Sequence, residues 1–299
     1  MSAGKTKAKR SPAPQCDVCG GLGHVTRSVQ EHAQASPCSC VESCATCDGT
    51  GHLFEETDEG YTVSVPCQCS DLEERILRFN RSGVPARYAH ASIESFEERE
   101  ESLIAIKYEF LKYRSTFEPG APGILISGPP GTGKTHLLTA FLTHLTLERG
   151  IPCRFIDFGN LTQRIKRGYN EGKSENEIID DLVAIEVLGI DELGKGRATE
   201  WEISVLDALV NRRYNAGLST FFTTNYPLTR ASNAGAEKPG TVRNPFNPEQ
   251  VEQLKRRVAQ PILAERVGTR IYSRLAEMCR VRIIDADDYR QVLASRSNN

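Results

Sequence analysis

The residues Gly-Pro-Pro-Gly-Thr-Gly-Lys-Thr stand at 128–135, and their types and order suit one task, holding a chain of phosphates. Gly128, Gly131 and Gly133 allow successive backbone N–H groups to turn inward around an anion, and a helix starting there adds its positive end. Lys134 reaches the β- and γ-phosphates, and Thr135 offers a hydroxyl to Mg²⁺. Pro129, Pro130, Thr132 and His136 complete the stretch expected to touch nucleotide. A second pair, Asp191-Glu192, directly follows the apolar run IEVLGI at 185–190. Asp191 is expected to hold Mg²⁺ through water, and Glu192 to orient and deprotonate an attacking water.

Cysteines form the other chemical group. Of ten, eight crowd into the first 70 residues, while Cys153 and Cys279 stand in apolar surroundings and read as buried small hydrophobes. The eight fall into an internal repeat: C-x2-C-x-G-x-G-H, a spacer, then P-C-x-C, recurring with a period of 28 residues and one extra residue in the second spacer. Cys16, Cys19, Cys38 and Cys40 supply four thiols from the first copy; Cys44, Cys47, Cys67 and Cys69 supply four from the second. Four ligands in two close pairs suit a closed, structural Zn²⁺ site, so two zinc ions are expected. A disulfide framework is the competing reading, disfavoured by C-x2-C pairs in a chain without a secretion signal. His24 or His52 in place of one cysteine is the alternative ligand.

These groups need scaffolding. Gly123 to Ser127 reads as a short buried strand entering the glycine-rich turn, and HLLTAFLTHLTLERG as the helix leaving it, which is the strand–turn–helix context the motif requires. STFFTTN at 219–225 is another buried-strand pattern, ending in Asn225. DLEERILRFNRSGVP reads as a short helix with Leu72, Ile76 and Phe79 on one face. A charged helical pattern runs from Glu94 to Phe117. The expected organisation is a basic flexible tail (1–15), a two-zinc cysteine-rich domain (16–70), a linker helix (71–82), an ATPase domain (83–292) and a tail (293–299). A Pro/Gly/Asn-rich loop is expected at 231–249, and a lid after Arg290 is expected to be minimal or absent.

GVPARYAHASIESF (83–96), GPPGTGKT, VLGIDELG, FFTTNYPL, ERVGTRIYSRL (265–275) and DADDYR (285–290) together resemble the bacterial helicase loaders of the DnaC and DnaI type and the related IstB transposition ATPases. The resemblance spans roughly 82 to 292. It implies an α/β fold, an AAA+ P-loop NTPase with a central parallel sheet flanked by helices, preceded here by a small zinc-stabilised cysteine-rich β/loop module. It also implies roles that the residues alone do not. Asn225 falls at sensor 1, Arg290 at sensor 2, and Arg274 at the arginine finger that acts on the adjacent subunit's nucleotide; Arg270 is the alternative finger and Arg266 a weaker one. Arg164, Lys166, Arg167 and Tyr169 fall in the helical element that lines a single-strand DNA channel. The doubled cysteine motif separately resembles the zinc module of DnaJ-type chaperones, though no histidine here is followed by proline as a J domain requires.

Charge constrains the partners. The 299 residues carry 37 Lys and Arg against 39 Asp and Glu, a net −2, so no overall positive field marks the chain for nucleic acid. Residues 11–70 hold one basic side chain, Arg27, against eight acidic ones. Such a module is expected to grip protein rather than phosphate. Residues 250–282, with eight basic side chains against three acidic, supply a local basic patch. No run of about 18 apolar residues suggests a membrane span, and the N-terminus lacks the apolar core of a leader, so a cytoplasmic protein is expected. The resulting expectation is ATP-dependent loading of a replicative helicase hexamer onto single-stranded DNA by a homo-oligomer using ATP, Mg²⁺ and Zn²⁺. An IstB-like transposition helper and a zinc-based chaperone or adaptor are the alternatives.

Overall fold

The computed structural model describes residues 16–41, 50, 52–57, 60–66, 71–230 and 260–290. Cys44, Cys47, Cys67 and Cys69, the 231–249 loop and the two tails lie outside them. The chain divides into two compact units, Met1–His90 with Leu142–Cys153, and Ala91–Phe141 with Arg154–Asn299.

In the first unit, β1 (His24–Val29) and β2 (His32–Pro37) form an antiparallel hairpin, and β3 (His52–Glu56) pairs with β4 (Thr62–Pro66) in a second. Helix α1 (Asp71–Asn80) buries Leu72, Ile76 and Phe79, the face its sequence spacing predicts. The alternation of β2 turns Ala33 and Ala35 inward, and both are buried. Asn80 fastens helix to hairpin by accepting from the Ala35 N–H at 2.7 Å and donating to the Ala35 carbonyl at 3.1 Å. The chain after α1 returns to the hairpin, where the Ala33 N–H donates to Val84 and the Ala86 N–H to Glu31. Arg75 donates to the carbonyls of Leu147 and Glu148, placing a cation at a helix C-terminus.

The second unit is built on a five-stranded sheet in the order β6-β7-β8-β5-β9, comprising β5 (Gly123–Ser127), β6 (Cys153–Asp157), β7 (Val187–Asp191), β8 (Ser219–Thr224) and β9 (Cys279–Ile283). The β7–β8, β8–β5 and β5–β9 pairs run parallel. β5, β7 and β8 are buried along their whole length, as strands covered by helices on both faces must be. Phe221 and Phe222 illustrate the two faces. Phe221 joins an aromatic cluster with Phe110 and Tyr113 of α2 (Glu101–Thr116), Phe117, and Phe141 of α3 (Lys134–Leu147). Phe222 enters the core formed with α4 (Phe158–Asn170), α5 (Glu175–Ala184), α6 (Glu200–Asn215), α7 (Leu263–Val267) and α8 (Thr269–Met278).

Two local features depart from simple periodicity. The predicted helix from Glu94 starts only at Glu101. The preceding segment is held open because the buried Lys107 ammonium draws in the carbonyls of Glu94 and Phe96 and the Glu98 carboxylate. Arg213, fully buried, donates to the carbonyls of Leu182, Ile185 and Ser219 and to the Thr220 hydroxyl, tying α5 and α6 to the start of β8. Burial lowers its pKa to about 10.

Candidate nucleotide and metal sites

The end of β5 opens into the glycine-rich turn, and α3 begins at Lys134, so the turn closes over the N-terminus of a 14-residue helix. Gly131 and Gly133 adopt φ of 77° and 87°, values only glycine holds at low cost. Space forbids a side chain there as well. A Cβ on Gly131 would lie 1.8 Å from an Asp288 carboxylate oxygen, and one on Gly133 2.4 Å from the Phe96 ring. Lys134 is folded against its own loop, donating to the carbonyls of Gly128 at 2.9 Å and Pro129 at 2.6 Å. Burial lowers the pKa of this ammonium to about 8, against the pull of Asp191 and Glu192. His136 turns to the segment before α2, its Nε2 lying 2.9 Å from the Ser92 carbonyl and 3.2 Å from the Ser95 hydroxyl.

Asp191 ends β7, and the parallel register places it beside both the turn and β8. The Thr135 hydroxyl donates to its two oxygens at 3.0 and 3.1 Å, and the Thr223 hydroxyl donates to Oδ1. Burial raises the Asp191 pKa although these hydroxyls oppose it. A buried carboxylate with a hydroxyl across from it is the donor set a Mg²⁺–phosphate site requires. Glu192 has φ of 55°, an uncommon conformation for a residue with a side chain. Its N–H donates to the Thr223 hydroxyl at 3.1 Å, and its carboxylate pairs with Lys195. Asp157, whose pKa is raised by burial and by the neighbouring Glu192, accepts from the Asn160 N–H and so caps α4.

The remaining nucleotide-site expectations converge on this place to different degrees. Asn225 immediately follows β8; on either side of it, the Thr224 carbonyl accepts from the Gly128 N–H and the Tyr226 carbonyl from the Ser127 hydroxyl. The chain beyond β9 lies along the glycine-rich turn, with the Tyr289 N–H donating to the Gly131 carbonyl. This brings Arg290 near enough to act on the Lys134 charge. Arg266 is committed within its own chain, bonded to the Gly194 and Gly196 carbonyls and stacked on Tyr226. Arg270 and Arg274, on α8, both face Asp207 of α6.

On α4, Arg164, Lys166, Arg167 and Tyr169 are all exposed. The structure adds Trp201, at the start of α6, which sequence reasoning missed. Its ring lies 4.8 Å from the Lys166 ammonium and 6.4 Å from the Tyr169 ring, and its Nε1–H donates to the Tyr169 hydroxyl. The signal available was that it is the single tryptophan of the chain.

In the first unit, Cys16, Cys19, Cys38 and Cys40 bring their sulfurs within 4.8 Å of one another, so together they can hold a metal ion. Cys16 and Cys38 are 3.8 Å apart and Cys19 and Cys40 3.4 Å. Tetrahedral Zn²⁺ with bonds of about 2.3 Å sets its sulfurs about 3.8 Å apart, so the four thiols fit that ion. Burial alone would push the Cys19 thiol up. The Gly23 N–H and the neighbouring thiols outweigh it and bring the pKa to about 6, favouring the thiolate that a metal binds. His24 stands outside this cluster.

A family model described as IstB-like ATP binding protein matches residues 85–235, just over half of the chain. The replicative helicase loader DnaC of Escherichia coli (strain K12) is 30% identical over 148 residues, covering 49% of this chain and 60% of the relative. Its counterpart in Buchnera aphidicola subsp. Baizongia pistaciae is 28% identical over 154 residues, covering 51% and 61%. The chain thus spans about 60% of the length of these curated relatives. A crystal structure of the DnaC helicase loader superposes with a TM-score of 0.52 at 27% identity, covering 67% of this chain and 99% of that one. A crystal structure of DnaI superposes at 0.50 with 20% identity, covering 68% and 95%, a likeness of fold.

Proposed function

Because this chain belongs to the IstB-like ATP-binding family, we propose that it hydrolyses ATP to load a replicative helicase onto single-stranded DNA. The observation that carries the hydrolytic part is the convergence of Lys134, Thr135, Asp191 and Thr223 at the N-terminus of α3. In this reading the inward N–H groups of 128–135 and the Lys134 ammonium hold the phosphates. Thr135 and Asp191 hold Mg²⁺, which when bound neutralises phosphate charge. Glu192 leaves its pairing with Lys195 and takes the proton of the attacking water, which Asn225 orients. Arg290 contacts the nucleotide of its own subunit. Arg274 reaches the nucleotide of the next subunit, so turnover requires assembly. A finger of this kind contributes on the order of 10³ to 10⁵ in rate.

The likeness to DnaC loaders supports the cargo, and the exposed cation–aromatic group of α4 supports the DNA. Lys166, Arg164 and Arg167 meet phosphates, while Tyr169 and Trp201 offer faces on which unpaired bases stack, a sequence-tolerant mode of binding. Zn²⁺ at Cys16, Cys19, Cys38 and Cys40, with a second ion at Cys44, Cys47, Cys67 and Cys69, staples the acidic module that we assign to gripping the helicase. The protein is expected to work in the cytoplasm.

Co-elution of the full ATP-bound chain with the replicative helicase on a sizing column, lost after chelation, is the expected result. No co-elution, together with preference for duplex over single-stranded DNA, would replace this reading with the transposition helper. Within the ATPase, Lys134→Ala is expected to lose nucleotide binding, and Glu192→Gln to bind ATP and hardly turn over.

A further inference from the structure

Arg274 is not poised in solvent. Its side chain is 21% exposed and lies in the seam between α6 and α8, over the Tyr214 ring, whose hydroxyl is bonded to Glu277. Its Nη1 stands 3.7 Å from Asp207 Oδ1, close enough for charge attraction and too far for a hydrogen bond. Nη1 and Oδ1 are both shut off from water, and neither has a hydrogen-bond partner among the described residues. Buried charged atoms left unbonded are costly, so this pairing is one that a better partner displaces. Arg270, one turn earlier on α8, stands 3.7 Å from the same oxygen with a side chain 68% exposed.

We propose that Asp207 is a positioning residue that stores Arg274 against its own subunit until a neighbour's nucleotide arrives, with Arg270 as the counter-charge that remains. The inference rests on the assignment of Arg274 as the finger made above. One observation and two physical arguments support it. The stored arginine is attracted to Asp207 without being locked by a hydrogen bond. Triphosphate oxygens offer charge-assisted bonds that Asp207 does not make here, so transfer is favourable. When Arg274 departs, Asp207 would otherwise be left as an uncompensated charge in a half-buried seam, a strongly unfavourable state. Arg270, already at the same oxygen and reaching solvent, prevents that. The two arginines one turn apart therefore have different tasks, one to move and one to stay.

The test is ATP turnover per subunit measured against protein concentration, beside the affinity of the dilute protein for a fluorescent ATP analogue. Asp207→Asn is expected to lower the concentration of half-maximal turnover about three- to fivefold, the scale of one partly exposed ion pair, with the plateau unchanged. Arg270→Gln is expected to raise it by a similar factor, and Asp207→Glu to restore the parent value. None of the three should alter affinity for the analogue, whereas simple damage to the fold would. A half-point unmoved by both Asp207→Asn and Arg270→Gln, or a plateau that falls in Asp207→Asn, overturns the storage role. Arg274→Ala separates the two levels. If it is inactive at every concentration while Asp207→Asn behaves as the parent, only the storage role fails. If it turns over as the parent does, or if parental turnover does not depend on concentration, the finger assignment itself falls.

Discussion

Lys134 carries a pH dependence whose sign is fixed by its burial. Its pKa of about 8 lies below the ordinary lysine value of 10.5, so between these values the folded, unliganded protein binds fewer protons than the unfolded chain. The unliganded fold therefore gains stability as pH rises through that window. ATP needs the ammonium, so binding should weaken above pH 8 and take up a proton, read as different heats in two buffers of unequal ionisation enthalpy. Thr223 gives a second expectation. Thr223→Val removes the hydroxyl that donates to Asp191 and accepts from the Glu192 N–H. Turnover should fall about ten- to a hundredfold while ATP affinity changes little, as for other groups that orient a metal ligand. The cradle, Asp191 and Glu192 were legible because each is a contiguous motif on a recognisable strand end. Thr223 was not, since its side chain meets Asp191 only through parallel pairing of two strands 32 residues apart in sequence. Asp157 was hidden for the same reason, Trp201 because only the packing of helices brings it to Lys166 and Tyr169, and the left-handed backbone of Glu192 leaves no trace in residue type.

At the scale of elements, period and punctuation identified β5, α3, β7, β8 and α1, because each is a short apolar pattern bounded by glycine, proline or a polar cap. The start of α2 was misread because the periodic pattern from Glu94 continues through residues that a buried lysine pulls out of helix. That lysine lies nearly two helical turns beyond the point at which the helix begins, and nothing in its spacing reveals what it bonds. α1 shows how little of a helix's partnership its apolar stripe reveals. The stripe predicted the buried face; the polar Asn80 determines where the helix is pinned. Asn80→Ala breaks both bonds to Ala35, and loss of about 1–3 kcal/mol is expected, visible as an earlier transition in a denaturant melt. Arg213→Met should cost more, because several buried carbonyls lose their donor together.

For the molecule, metal and nucleotide should prove separable. Two zinc ions per chain are expected by elemental analysis, and a strong chelator should lower the thermal transition of the N-terminal region while ATP affinity persists. Equal loss of both on chelation would contradict that independence. DNA affinity should fall steeply with salt, and Lys166→Ala should flatten that slope by about one counterion. The strand order has a further consequence, for synthesis on the ribosome. β5, which carries the glycine-rich turn, lies between β8 and β9, and Tyr289 holds the Gly131 carbonyl. The cradle is among the first parts of its unit to be translated, yet its strand gains both neighbours only after residue 283 is made. A nascent chain halted before that point leaves one edge of an apolar strand unpaired and should bind no ATP, so nucleotide retention on stalled ribosomes would report how far translation has gone.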